Sequence, residues 1–359
     1  MSTQSPSATR KRNEQIHKTF GKNIVFSMLT PLILIKFAVA ASVPVTIGGL
    51  AYVATSPELR QGIYHFLTSP GWPLRLCLVV FAALNWKNLP LAWTARVFYS
   101  FVCHDFIKRD ELPPHALFGH IVTTTRNSPL DTDYNLHKSN STYFPDLDVS
   151  RTRLVSYLLT PGIQVVTDNA RTQVVRDRSG RVMGGGFSLV LGSVFCSYKR
   201  EVGMLESYEL WSRVLTWDRK WLYFVTHFVA KDNGKKGKAS PGGVGTDRDC
   251  SQRIIATAVS KYVFKLGRFT IHPSIILEES RLLPERPGGG WRGGELEVGD
   301  VSEKVESLEG EEEPVEGWKR IELMRRKGME LAEHFAALDA GHSLFDGRED
   351  GVLGRFVLG

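Results

Sequence analysis

Apolar and polar positions divide the chain into unlike stretches. Met1 to Asn23 is polar, whereas Ile24 to Ala54 is apolar with Lys36 as its single charge. About 20 helical residues of that block would cross a hydrocarbon core of ~30 Å. A cleaved secretory signal fits less well, because the block is too long and begins too far in. A second apolar block, Leu74 to Val102, is interrupted by Arg75, Lys87 and Arg96. Its uncharged piece, Leu76 to Trp86, reaches only about 16 Å as a helix. It reads either as a second span with Lys87 snorkelling, or as an interfacial helix with Trp86, Trp93 and Arg96 at headgroup level.

From about Leu112 the pattern becomes that of a water-exposed domain. Ala116 to Arg126 is strand-like. Asn140 to Leu159 predicts a helix, with Leu147, Leu154, Val155 and Leu158 near one face and Asp146 and Asp148 in the acid-favouring first turn. Phe187 to Arg200 is β-rich, and Glu206–Thr216 with Trp221–Ala230 predicts a hairpin around Trp217–Lys220. Lys231 to Asp249 is a Gly-, Pro- and Lys-rich loop, and Ile254 to Phe269 resumes strand character. Pro284 to Gly317, acidic and Gly-rich, is expected to remain unpacked, and Trp318 to Leu338 is expected to form a last helix. One long helix followed by antiparallel strands indicates an α+β domain, occupying 112–283 behind a membrane-anchoring segment at 24–107.

Composition narrows the class. The chain has 359 residues, 42% hydrophobic and 23% charged, which is globular material. Four scattered cysteines, Cys77, Cys103, Cys196 and Cys250, exclude a disulfide framework and a cysteine-rich zinc domain. The net charge of +7 averages unlike pieces: 284–317 alone carries eleven acids against three bases, so the remainder sums to +15. No basic stripe interleaved with aromatics and no nucleic-acid-binding signature accompanies that excess, which argues against a nucleic-acid partner. The tail, with five bases against Glu14, and the bases Lys87, Arg96, Lys108 and Arg109 favour a hairpin whose ends, and hence the catalytic domain, lie in the cytosol.

Several familiar sites are absent, among them G-x-S-x-G, Walker, Rossmann and H-E-x-x-H patterns. Asp131-x-Asp133-x-Asn135 opens like a calcium loop, but Leu136 stands where its turn needs Gly and Thr142 where a bidentate Glu is required. Cys103-His104, at the edge of an apolar block, reads as a pair of packing residues. What remains is the segment Asp131 to Tyr143, where two acids, a His and an Asn lie between a strand and a helix start. A carboxylate there can serve as base or nucleophile, and helix-start N–H groups suit an oxyanion. The same residues also suit a turn, with Asp131 and Asn140 as turn and cap residues and His137 as a satisfied histidine.

The spacing D-x-D-x-x-x-H-x-x-N-x-x-Y, met by Asp131, Asp133, His137, Asn140 and Tyr143, resembles the opening motif of hotdog-fold thioesterases of the 4-hydroxybenzoyl-CoA thioesterase type. Cys196–Glu201, Glu206–Asp218 and Trp221–Val229 fit the same family, and most resemble its membrane-anchored branch, thioesterase superfamily member six and similar fungal proteins. The resemblance implies a long helix wrapped by an antiparallel sheet, a homodimer, and hydrolysis of fatty or aryl acyl thioesters of CoA or acyl carrier protein without metal or redox cofactor. It places the catalytic carboxylate on Asp133 and oxyanion donors near Ser139, Asn140 and Ser141. His137 would orient substrate or hold the turn, which Asp131 and Tyr143 support. Three departures stand out: Leu136 replaces the usual Gly, Ser139 the first Asn, and Lys138 an apolar residue. The alternatives are a non-catalytic, membrane-anchored acyl-binding or scaffold protein on the same fold, and hydration of an enoyl thioester. Lys235, Lys236 and Lys238 in the basic loop are candidate contacts for CoA phosphates or anionic headgroups, against the simpler reading of a solvated charge run.

Overall fold

The computed structural model describes residues 56–106, 112–231, 252–286, 290–291 and 317–345. They belong to two compact units. One holds the chain to Arg109 together with Ser128–Asp133; the other holds Asp110–Asn127 and everything from Tyr134 onward.

In the first unit, helices α1 (Pro57–Thr68), α2 (Trp72–Leu84) and α3 (Ala92–Phe106) follow in succession. Pro57 and Pro73 sit in the first turns of α1 and α2, where a missing N–H costs nothing. α2 stops because Asn85 turns back on it, its Nδ2 donating to the Phe81 carbonyl at 2.8 Å. A one-turn 3-10 helix, Trp86–Asn88, and Leu91 at φ 64° then redirect the chain. The second apolar block is therefore two helices of 13 and 15 residues, about 20 and 22 Å long at the helical rise. Among the described residues no helix is long and apolar enough to cross a membrane. The expected second span is thereby corrected, because buried Asn85 and Lys87 lie at a turn between two short helices. The cytosolic placement built on a two-span hairpin loses its basis with it. The tail and Ile24–Ala54 lie outside the described residues.

The second unit is built on a six-stranded antiparallel sheet. Its strands are β1 (Ile121–Arg126), β2 (Phe187–Tyr198), β3 (Ser207–Trp217), β4 (Trp221–Ala230), β5 (Ile254–Leu266) and β6 (Phe269–Ile271). They run in the order β1-β3-β4-β5-β2, with β6 added on β5. The predicted hairpin is β3–β4, in register from Tyr208 opposite Ala230 to Trp217 opposite Leu222. Ala116 to Arg126 is strand only from Ile121, because Pro114–Phe118 forms a 3-10 turn.

The predicted central helix begins with a 3-10 turn, Asn140–Thr142, and continues as α4, Tyr143–Thr167. It runs eight residues past the predicted end, straight through Pro161. An interior Pro costs about 3 kcal/mol, but Leu154, Leu158, Leu159 and Val166 are buried on its far and near sides at about 1.5–3 kcal/mol each. Packing outweighs propensity here. Gly162 permits close contact with α6 (Pro273–Glu279): a Cβ there would stand 2.1 Å from the Ile276 carbonyl oxygen. A short α5, Asn169–Thr172, follows α4.

Alternate residues of β3 to β5 face α4, among them Leu210, Leu222, Phe224, Phe228 and Phe264. The opposite face is partly covered by α7, Gly317–Ala337, whose Ala332 and Phe335 pack on Leu215, Tyr223, Val225 and Val259. The terminal helix thus belongs to the domain. The acidic stretch is not wholly unpacked either. Trp291 is buried against Trp217, and its Nε1 donates to the Pro284 carbonyl at 2.8 Å. A single large aromatic was enough to bring that part of a Gly-rich segment into the core. The rest of the stretch, 292–316, and the basic loop with Lys235, Lys236 and Lys238 lie outside the described residues.

Candidate active site

The two carboxylates of the motif have separate fates. Ser128 opens a 3-10 turn, Pro129–Asp131, as a reciprocal capping box: Asp131 Oδ2 accepts from the Ser128 N–H at 3.3 Å. The same carboxylate receives Lys87 Nζ at 2.5 Å and Asn88 Nδ2 at 2.8 Å, while Asn85 Oδ1 accepts from the Leu130 N–H at 2.8 Å. Lys87 and Asp131 are both nearly inaccessible to water. Asp131 is therefore a structural anchor of the first unit, its charge matched by a buried ammonium that the sequence suggested would snorkel from a second span. Asp133, at the end of the same segment, is only partly buried.

In the second unit the chain from Tyr134 runs antiparallel to 201–205, held by a bridge between His137 and Gly203 and by the Lys138 N–H donating to the Val202 carbonyl at 2.9 Å. His137 Nε2 lies 3.2 Å from the exposed Glu201 and is itself half-buried, which fits a turn-holding role. Leu136 adopts φ 65°. That is the left-handed conformation glycine takes freely, so the backbone keeps the geometry of a Gly at a cost of about 1 kcal/mol for the Leu side chain.

The turn into α4 is fixed by its own polar groups. The Ser139 carbonyl accepts from the Thr142 N–H at 3.0 Å and the Thr142 hydroxyl at 2.8 Å. The Asn140 carbonyl accepts from Tyr198 Oη at 2.9 Å, and the Ser139 and Ser141 hydroxyls lie 3.2 Å apart. Tyr143 is a core residue whose ring packs edge-on at 5.0 Å to both Tyr198 and Phe228. Burial pushes its phenol well above the ordinary range, so it is neutral and inert as an acid. As first residues of a helical start, Ser139, Asn140 and Ser141 have N–H groups without intrahelical acceptors.

Sequence reasoning missed the strongest polar network here. The Lys138 side chain is fully buried. Its Nζ donates to the Thr142 carbonyl at 3.1 Å, to Thr142 Oγ1 at 3.0 Å and to Asp146 Oδ2 at 3.4 Å. Tyr208 Oη donates to the same Asp146 oxygen at 2.7 Å, and the ammonium lies over the Tyr143 and Tyr208 rings. Asp146 is thus a buried partner and not merely a first-turn acid. The available signal was its place on the α4 stripe, three residues after Tyr143 and next to Leu147. Further along, Arg151 is buried with Nη1 donating to Ser260 at 2.6 Å and Nη2 paired to Asp148. Among the described residues no group of three or more His, Cys, Asp or Glu is arranged to hold a metal ion.

Residues 128–264 match the model of the thioesterase-like superfamily. "Thioesterase poxG" of Penicillium oxalicum is 34% identical over 324 residues, covering 86% of this chain and 94% of that protein. The chain belongs to the thioesterase-like superfamily. "Probable thioesterase atnL" of Emericella nidulans is 31% identical over 290 residues, 77% of this chain and 90% of that one. "Protein THEM6" of Danio rerio is 23% identical over 168 residues, 45% and 67% of the respective chains. The fold is the hotdog fold of thioesterases.

Proposed function

We propose that this protein hydrolyses acyl thioesters of CoA or acyl carrier protein, with Asp133 as the catalytic carboxylate. The observation that carries the reading is the division between the two acids. Asp131 is buried and bound to Lys87, Asn88 and the Ser128 N–H, whereas Asp133 keeps partial exposure to water, where a substrate and a hydrolytic water can reach it. In the reaction Asp133 takes a proton from water as its oxygen attacks the thioester carbonyl. The resulting oxyanion is stabilised by N–H groups at Ser139 to Ser141, and collapse breaks the C–S bond, the departing thiolate being protonated by the acid just formed. Leu136 does not favour the non-catalytic alternative, because its backbone retains the glycine conformation.

Two finer features belong to the same proposal. The protein acts at a membrane surface, supported by α2, which has no buried residue and exposes Leu74, Leu78, Val79, Val80 and Phe81. It works as a homodimer, supported by β2, a 12-residue sheet edge that exposes Val190, Leu191, Phe195 and Tyr198.

Asp133→Asn is expected to lower kcat on an acyl-CoA at least ~100-fold with the fold intact, the scale of one general-base contribution. Asp131→Asn should instead lower stability by leaving Lys87 buried without its charge partner. Release of free thiol from a panel of acyl-CoAs measures the first, and urea unfolding the second. Equal loss of kcat in two folded variants would overturn the assignment.

A further inference from the structure

The sheet face opposite α4 carries a second polar cluster that the proposed hydrolysis does not use. Trp211 pairs with His227 across β3–β4, and His227 with Thr257 across β4–β5. Arg213 lies two residues beyond Trp211 on the same face. Since Ile121 pairs with Ser212, His120 continues that register opposite Arg213. The four residues form a staggered cluster over three strands, with His120 beside Arg213 across β1–β3 and Trp211 beside His227 across β3–β4. The His120 and Trp211 rings meet edge-on at 5.8 Å, and His227 Nδ1 is 3.2 Å from Thr257 Oγ1.

Positive charge prevails in this cluster among the described residues. Arg213 is partly buried, and its hydrogen bond there is a long one, 3.5 Å from Nη1 to the Val214 carbonyl. The acid nearest in sequence on the same face, Glu209, accepts from Trp211 Nε1 at 3.0 Å. Burial lowers the Arg213 guanidinium, and burial followed by the Arg213 charge holds His120 and His227 below the ordinary imidazole range. A partly buried cation thus lies beside two imidazoles that burial, and then its charge, disfavour as cations. The other charged groups on this face include Arg126 on β1, Lys261 on β5, which Asp339 engages at 2.5 Å, and Asp218 and Glu333, which with Asp339 act on Tyr223.

We propose that His120, Arg213 and His227 form a binding site for an oxyanion, an organic phosphate or carboxylate, seated beside the Trp211 ring. The planar guanidinium fork suits two oxygens of such a group, and each imidazole can donate once protonated. A bound anion opposes the local positive field, so the histidines take up protons and binding strengthens as pH falls through the range in which they titrate.

Histidine ring NMR of the full-length protein, titrated with inorganic phosphate in one arm and acetate in the other, tests this without a catalytic readout. The expected result is an upward move of about one unit in the apparent pKa values of His120 and His227, the scale of a neighbouring opposite charge. The arm with the larger response assigns phosphate or carboxylate chemistry. Arg213→Gln should abolish the response, and Arg213→Lys, which keeps the charge but loses the fork, should weaken affinity about tenfold. Histidines unmoved by both anions, or moved equally in either Arg213 variant, would overturn the site.

Discussion

At the scale of residues, the instructive group is Lys138. In the motif of its relatives by resemblance this position is apolar, and here an ammonium fills it with no accessible surface. Burying a lone charge costs several kcal/mol, so the position is tenable only because Thr142, Asp146 and two tyrosine rings surround it. Removing one partner should therefore cost more than removing both. Lys138→Met is expected to destabilise by about 3 kcal/mol or more, because it removes the ammonium that faces the buried Asp146 carboxylate. Asp146→Leu combined with Lys138→Met should recover a large part of that loss. Urea unfolding of the two singles and the double decides it; additive losses would show that the pair is not coupled.

At the scale of elements, close approach and charge decide how the helices dock. Gly162 lets α4 touch α6, its N–H donating to Ser280 Oγ at 3.0 Å. Gly328 does the same for α7 on β3, where a Cβ would lie 2.3 Å from the Leu215 carbonyl oxygen. Gly162→Ala should thus destabilise by about 1–3 kcal/mol despite the better helix propensity of Ala, since the obstructing atom is backbone. A Gly162→Ala variant of unchanged or higher melting temperature would contradict that packing. Docking of α7 also rests on Glu322, which burial pushes up but which Arg325, Arg326 and Arg286 together bring below the ordinary carboxylate range. Its contribution is present above about pH 4.5 and lost as pH falls through the lowered folded value. The depressed histidines His120 and His227 act in a higher window: the folded state binds fewer protons than the unfolded chain, so stability declines as pH falls from about 6.5. Urea midpoints at pH 7.5, 5.5 and 3.5 should fall in two steps, with His227→Gln flattening the upper step and Glu322→Gln the lower.

At the scale of the whole molecule, the proposed membrane contact makes a prediction with a built-in probe. Cys77 is exposed on α2, amid that helix's apolar surface. In the full chain with Cys103, Cys196 and Cys250 replaced by Ser, a spin label on Cys77 should become accessible to oxygen and shielded from a polar relaxation agent when anionic vesicles are added. Interfacial helices sit about 5–10 Å below the headgroups, which sets the depth expected. A label equally open to the polar agent with and without vesicles would remove α2 from the membrane contact, whatever the remainder of the chain does.

Local pattern was enough for the alternating strands, the β3–β4 hairpin, the helix face of Leu147, Leu154, Val155 and Leu158, and the motif from Asp131 to Tyr143, because each depends on residues near one another in sequence. The family reading followed from the same local spacing. Tertiary structure alone decided the matters that need a distant partner. Lys87 and Asn88 bind and bury Asp131 across more than forty residues. Asp146 is buried because Lys138 and Tyr208 converge on it, α4 outlasts Pro161 because its far end is packed, and Trp291 enters the core because Trp217 and Pro284 receive it. The end of α2 at Asn85 is set by a side chain that also reaches Leu130, so a block apolar enough to suggest a span becomes two short helices. Propensity and periodicity act within a turn or a strand pair, whereas burial and charge pairing act wherever the fold brings groups together, and in this chain the second kind buried Asp131 while Asp133 kept partial exposure.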